Sequence, residues 1–167
     1  LGDDVDPYDP EVYLKGAENL RHMINEGVLA RDPEPCYYLY SLTMGGHTQT
    51  GLVAVASVAD YDSNRIRRHE FTRPAKEDDR VRQVDALNAQ TGPVFLTYRA
   101  DPGVNALVAE ATARDPDVDV TADDGVVHRL WVVSDPQVVA RLTAAFDAMA
   151  NLYIADGHHR SAAAPRG

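Results

Sequence analysis

The pattern of hydrophobic and polar positions along the chain predicts a mixture of helices and strands. A helical period of apolar residues follows the start signal Asp9-Pro10 and ends at Gly27. An aromatic stretch at 36–42 and an apolar stretch at 50–58 flank the glycine pair Gly45-Gly46. These two stretches predict an antiparallel hairpin, because paired glycines are typical of hairpin turns.

The rest of the chain mixes both kinds of element without strict β-α-β alternation. This order predicts an α+β fold with a mixed, largely antiparallel sheet and flanking helices. We expect a single domain over residues 1–167, as a piece of a longer protein truncated at both ends. Further helices are predicted at 60–68, 76–90, 101–114, 134–150 and from 158 onward, and further strands at 94–98, 118–121, 126–133 and 152–155.

Composition narrows the class of protein. Apolar residues make up 44% of the 167 residues and charged residues 25%, as in ordinary globular proteins. There is no apolar run of the roughly 20 residues that a bilayer span needs. A single cysteine, Cys36, excludes an internal disulfide and a four-thiolate zinc site. We therefore expect a cytoplasmic protein that is not bound to a membrane.

The charge is acidic overall but locally basic. A net charge of −10 and a pI near 4.9 argue against nucleic acid as a partner. A basic island in such a chain indicates a small anion, such as a nucleotide phosphate. The alternative is a solvated helix face balanced by Glu70, Glu77, Asp78 and Asp79. The island holds seven of the sixteen cations: Arg65, Arg67, Arg68, Arg73, Lys76, Arg80 and Arg82.

The strongest local signal is the segment Asp156-Gly157-His158-His159-Arg160, which follows an apolar strand and opens a helix. Glycine allows a sharp turn, and the amides at a helix start favour anions. The segment therefore predicts a phosphate cradle, and the alternative is a plain strand–turn–helix junction with polar surface residues. A zinc site from His158 and His159 is disfavoured, because adjacent helical residues diverge by about 100°.

A second signal is the segment from His69 to Arg80. Lys76, Asp79, Arg80 and Gln83 fall on neighbouring helical positions, and Thr72 precedes that helix. The pattern is compatible with another anion site or with a capped, salt-bridged surface helix.

The sequence has no GxxxxGK[ST], GxGxxG, HExxH or GxSxG motif. It therefore lacks the phosphate loop, the dinucleotide fingerprint, the zinc-protease helix and the serine nucleophile elbow that these motifs form.

These segments carry a resemblance that runs over nearly the whole chain. The sequence resembles bacterial and archaeal proteins long filed as a domain of unknown function, whose characterised members are free-serine kinases (SerK-like and SbnI-like). The similar blocks, in order, are Gln49–Leu52, Arg68–Arg80, Gln90–Phe95 and Ala155–Arg160.

The resemblance implies a ParB/sulfiredoxin-like fold and phosphoryl transfer from ADP or ATP, with Mg²⁺, to free L-serine or a similar hydroxyl. The turn Gly157–Arg160 would hold the nucleotide phosphates, His158 or His159 would stabilise the transferring group, and Asp156 would hold the metal. The same cleft would be lined by Glu70, Thr72, Arg73, Lys76, Asp78 and Arg80. The general base of the characterised kinases, a glutamate in an early segment, has no counterpart here. Two other functions stay open, a nucleotide sensor without phosphotransfer and a partner-binding module.

Overall fold

The computed structural model describes residues 5–166, and the chain alternates between two compact units. One unit contains residues 5–31, 57–98 and 151–166, and the second contains residues 32–56 and 99–150. The elements, in chain order, are α1 (Pro10–Asn25), β1 (Tyr37–Met44), β2 (His47–Val53), α2 (Val58–Asp62), β3 (Ile66–Arg67), α3 (Pro74–Leu87), β4 (Phe95–Thr97), α4 (Pro102–Ala111), β5 (Val118–Thr121), β6 (Val127–Val133), α5 (Pro136–Asp147), β7 (Leu152–Asp156) and α6 (His158–Ala163).

The second unit is built on a four-stranded antiparallel sheet with the order β2-β1-β6-β5. Its core joins Leu39 and Trp131 of the sheet to Leu107 of α4 and Leu142 of α5. The indole Nε1 of Trp131 donates to the Arg114 carbonyl at 3.0 Å, so the one tryptophan is both packed and hydrogen-bonded.

The first unit holds a smaller, mixed sheet with the order β3-β7-β4. β7 pairs in parallel with β3 and antiparallel with β4, around a core of Tyr61, Ile66 and Ile154. Helix α3 packs against α1 and α6. Gly16 of α1 faces Leu87 of α3, and a Cβ at Gly16 would lie 3.4 Å from Leu87 Cδ1, an ordinary contact distance. This packing holds α3 and α6 beside the central strand β7.

The predicted α+β class, with largely antiparallel pairing and flanking helices, is confirmed, but the strands form two sheets. The helices predicted after Asp9-Pro10, at 101–114 and at 134–150 are capped by Asp9, Asp101 and Asp135, each of which accepts a backbone N–H of the helix that follows. The single domain over residues 1–167 stays a prediction. Within residues 5–166, no helix is long and apolar enough to cross a membrane.

Three boundaries differ from the predicted ones for local reasons. Strand β2 ends at Val53, where its pairing with β1 stops. The predicted helix 60–68 ends early, because Asn64 adopts φ 61° and Ile66 then pairs with β7. The predicted strand 94–98 is shorter and less buried than expected, with Phe95 49% exposed.

Asp117 of the second unit gives a testable pH dependence. Its Oδ2 accepts from Arg114 Nη2 at 2.5 Å and from the Val132 N–H at 2.7 Å. The Arg114 guanidinium first, and the Val132 amide second, lower the pKa of Asp117 to about 2. Because the unfolded pKa is about 3.9, this carboxylate contributes stability above pH ~4 that is lost as the pH falls towards 2.

Asp117→Asn is therefore expected to lower the stability of the second unit at neutral pH and to flatten its loss between pH ~4 and ~2. Denaturant titrations at several pH values, followed by Trp131 fluorescence, measure this directly. Asp123→Asn, at an exposed turn, is the control and should retain the wild-type profile. A variant at Asp117 with the wild-type acid profile would show that the pair with Arg114 is not formed in solution.

Candidate functional site

A polar cleft of about 670 Å³ lies within the first unit, where α6 follows β7 and packs against α3. Its walls come from the start of α6, one face of α3, the loop at 90–92 and the loop before α3. The structure brings together at this cleft eight of the residues predicted from the sequence: Glu70, Lys76, Arg80, Asp156, Gly157, His158, His159 and Arg160.

The side chain of Arg160 folds back over the turn that begins α6. Gly157 has φ 92°, and a Cβ there would lie 3.1 Å from Arg160 Nε and Nη2. A Cβ on Gly92 would lie 3.1 Å from Arg160 Cδ. Arg160 thus occupies a slot that two glycines leave open, and its Nη2 donates to Asp156 Oδ2 at 2.8 Å. Since α6 spans only six residues, side chains rather than a long helix dipole determine the charge here.

His159 connects α6 to the start of α3. Its Nε2 accepts the backbone N–H of Arg73, the residue that caps α3, at 3.1 Å. An accepting Nε2 places the ring proton on Nδ1. His159 therefore positions the two helices relative to each other and keeps one ring N–H as a donor.

His158 is turned a different way from its neighbour. Its side chain is only 3% exposed, and its Nδ1 lies 3.1 Å from Glu70 Oε1. The ring of His69 packs edge-on against it, with the centroids 4.4 Å apart. Its Nε2 is buried and has no hydrogen-bond partner among residues 5–166.

The lining carries balanced charges. Lys76, Arg80 and Arg160 face the three carboxylates of Glu70, Asp79 and Asp156. Two of the three cations are paired, Arg160 with Asp156 and Arg80 with Asp79 at 2.5 Å. Lys76 is exposed and forms no ion pair with any residue that the structure describes. It is therefore the cation most available to an incoming anion.

Asp79 has a second role beneath this surface. Its Oδ1 accepts from the hydroxyl of Tyr13 on α1 at 2.8 Å, and its Oδ2 accepts from Arg80. Burial first, and the hydrogen bond to Asp79 second, raise the pKa of Tyr13. Asp79 thus fixes the position of Arg80 and ties the cleft face of α3 to α1.

Three predicted site residues, Thr72, Arg73 and Asp78, lie outside the lining. The Thr72 hydroxyl donates to Glu77, and the Asp78 carboxylate pairs with Arg166 at 2.5 Å. Arg73 contributes its backbone N–H to His159, as described. These contacts build the start of α3 and its junction with α6.

The basic island is dispersed in the fold. Arg65 pairs with Asp60, Arg67 donates to Asn151, and Arg68 lies 4.8 Å over the ring of Tyr61. Of the seven cations, only Lys76 and Arg80 line the cleft. The island is therefore not one surface, since some of its cations serve the fold and two face the cleft, and its role in binding an anion stays a prediction.

Sequence reasoning left out several lining residues. The helical spacing of Asp79 and Gln83 from Lys76 and Arg80 indicated a shared face, but the predicted cleft residues did not include them. Gln90, Thr91 and Gly92 belong to one of the blocks that carry the family resemblance. Nothing in the sequence pointed to Tyr8. The complete set of lining residues that were not predicted is Tyr8, Asp79, Gln83, Val84, Gln90, Thr91, Gly92 and Ala163.

Comparison with known proteins places this chain in a family. The model of the family described as "Protein of unknown function (DUF1015)" matches residues 1–166. No curated protein and no solved structure matches the chain. Because the family model spans the cleft and both units, the chain belongs to the DUF1015 family of proteins of unknown function.

Proposed function

We propose that the cleft binds the phosphates of ADP or ATP with Mg²⁺, and that the protein transfers a phosphoryl group to free L-serine or a similar small hydroxyl compound. The observation that carries the proposal is the gathering of Lys76, Arg80 and Arg160 around one cleft of about 670 Å³. Small-ligand sites have volumes of roughly 300–1,000 Å³. The net charge of −10 favours a small anion over nucleic acid.

The balanced charge of the lining supports the proposed role of Mg²⁺. Three cations against three carboxylates leave little surplus positive charge for a polyphosphate. Mg²⁺ is held by one or two carboxylates, with waters and phosphates as its other ligands. Asp156 fits this role, because its side chain is 75% exposed and Arg160 occupies only Oδ2. When bound, Mg²⁺ supplies charge that neutralises the donor phosphates.

The proposed reaction is a displacement at the terminal phosphorus of the nucleotide. The bond from phosphorus to the bridging oxygen breaks, and its electron pair stays on that oxygen of the released AMP or ADP. Phosphorus joins the hydroxyl oxygen of the acceptor, and the hydroxyl proton passes to solvent water. Positioning and charge neutralisation supply most of the catalysis in such reactions. We assign the donor phosphates to Lys76 and Arg160, and the transferring group to the Nδ1–H of His159. His158 faces Glu70 instead.

The test combines binding with turnover. Thermal unfolding is measured with ADP, ATP and CTP, each with and without Mg²⁺; a ligand at about 100 times its Kd adds about 2.7 kcal/mol of stability. Formation of O-phosphoserine is then assayed with the longest natural chain that contains this sequence. Binding with turnover supports the proposal. Binding without turnover would support the alternative of a nucleotide sensor. If neither this chain nor the longest natural chain binds a nucleotide, the proposal is overturned.

The two lysines of the chain provide a matched pair of variants. Lys76→Met is expected to weaken binding of Mg²⁺-nucleotide at least about 10-fold, because one hydrogen bond from a charged donor contributes about 1.5–3 kcal/mol. Lys15→Met should bind as the wild type does, since Lys15 pairs with Glu18 on α1 and does not line the cleft. Isothermal titration calorimetry measures both. Equal affinities of the two variants would show that Lys76 does not bind the phosphates.

A further inference from the structure

We propose that His69, Glu70 and His158 bind one divalent transition-metal ion of the Zn²⁺ class. Each residue offers one ligand atom, and these three atoms lie within 4.8 Å of one another. His69 and Glu70 belong to the loop between β3 and α3, and His158 begins α6. The site uses none of the oxygen atoms of Asp156, and it does not depend on nucleotide binding.

The spacing is close to that of a formed metal site. Ligand atoms about 2.0–2.2 Å from a tetrahedral Zn²⁺ lie about 3.3 Å from one another. His158 Nδ1 and Glu70 Oε1 are already 3.1 Å apart. His69 and Glu70 are exposed, so modest side-chain rotations bring the remaining atoms to this spacing.

His158 is the anchor of the site, because its ring is buried and its Nδ1 already lies beside the Glu70 carboxylate. One ring nitrogen has only Glu70 as a partner, and the other has none among the described residues. Nδ1 is the ligand nitrogen in this site, because it lies beside Glu70 Oε1 while Nε2 points away from it.

The donor set determines the class of ion. Two imidazoles and a carboxylate suit Zn²⁺, Fe²⁺, Co²⁺ or Ni²⁺, whereas Mg²⁺ and Ca²⁺ prefer oxygen ligands alone. Three protein ligands leave at least one coordination position open. Because Glu70 and His158 both line the cleft, that position is available to water or to a ligand bound there.

The site also explains why the two adjacent histidines need not share a metal. His159 accepts from the Arg73 amide, whereas His158 faces Glu70 and the ring of His69. Neighbouring helical residues point in different directions. His159 therefore contacts the backbone at the start of α3, whereas His158 contacts a carboxylate and a second histidine.

The test measures Zn²⁺ binding to tag-free, chelator-treated protein without nucleotide. We expect one Zn²⁺ per chain by competition with a chromophoric chelator, not displaced by millimolar Mg²⁺. His69→Ala and Glu70→Gln are each expected to lower the Zn²⁺ affinity at least about 10-fold. Both side chains are exposed, so these variants should keep the fold. His22→Ala, at an exposed position of α1, is the matched control and should bind as the wild type does.

Two further readouts test the ligands themselves. Co²⁺ should give visible absorption bands of a low-coordinate site in the wild type, and these should be absent in His69→Ala. On addition of Zn²⁺, the imidazole NMR signals of His69 and His158 should shift, and that of His22 should not. Less than one bound equivalent, or equal affinities of the wild type, His69→Ala and Glu70→Gln, would overturn the proposal. Neither result depends on whether the cleft binds a nucleotide.

Discussion

Replacing Arg160 by methionine is expected to weaken Mg²⁺-nucleotide binding about 10- to 100-fold while the fold is retained. A hydrogen bond from a charged donor contributes about 1.5–3 kcal/mol, which corresponds to about 10- to 100-fold in affinity. Arg160 lines the cleft and uses Nη2 for Asp156. Asp156 is 75% exposed, so the variant leaves its carboxylate in water rather than buried without a partner.

Calorimetric titration with ADP or ATP in the presence of Mg²⁺ measures the Arg160→Met effect. Arg141→Met is the matched control, because Arg141 is also an arginine paired with a carboxylate, Glu110 at 3.4 Å, but lies in the second unit. Wild-type affinity in Arg160→Met would mean that Arg160 serves only as the partner of Asp156. The phosphate assignment would then rest on Lys76 alone.

Gly157→Ala is expected to destabilise the first unit by about 1–3 kcal/mol and to displace Arg160. The backbone at Gly157 has φ 92°, a conformation that costs an L-residue about 1–3 kcal/mol. The new Cβ would also lie 3.1 Å from Arg160 Nε and Nη2. We therefore expect nucleotide affinity to fall together with stability.

Gly92→Ala separates these two causes. Its Cβ would also meet Arg160 at 3.1 Å, yet its φ is not positive. This variant is expected to lose less than about 1 kcal/mol, because the flexible Arg160 side chain can shift. Hydrogen exchange of the β7 amides reports the stability of the first unit. Equal losses in both variants would show that contact with Arg160, not the backbone of Gly157, sets the requirement for glycine.

Much of the local structure could be predicted from the sequence because its causes are local. Asp9, Asp101 and Asp135 each precede a proline, and all three cap a helix through a side-chain oxygen. The Gly45-Gly46 turn and its hairpin depend on positive φ angles that glycine adopts readily. Strand β3 was missed, since a two-residue strand exists only through its pairing with β7.

The residues of the candidate site could likewise be predicted where they depend on local sequence, and not where they depend on packing. Asp156 to Arg160 stand together in the sequence, and the helical spacing of Lys76 and Arg80 puts them on one face of α3. Which of the neighbouring polar residues face the cleft could not be predicted, because that depends on the packing of α3 against α1 and α6. Thr72 and Asp78 therefore point to Glu77 and Arg166.

The sequence by itself determined the α+β class, the helix caps, the hairpin and the glycine-dependent turn at Gly157, all of which depend on residues close together in the chain. Only the tertiary structure decided that the strands form two sheets, that Gly92 and Gly157 flank Arg160, and that His69 and Glu70 meet His158. These contacts join segments distant in sequence. Their geometry follows from how the helices pack against β7, which no local pattern encodes.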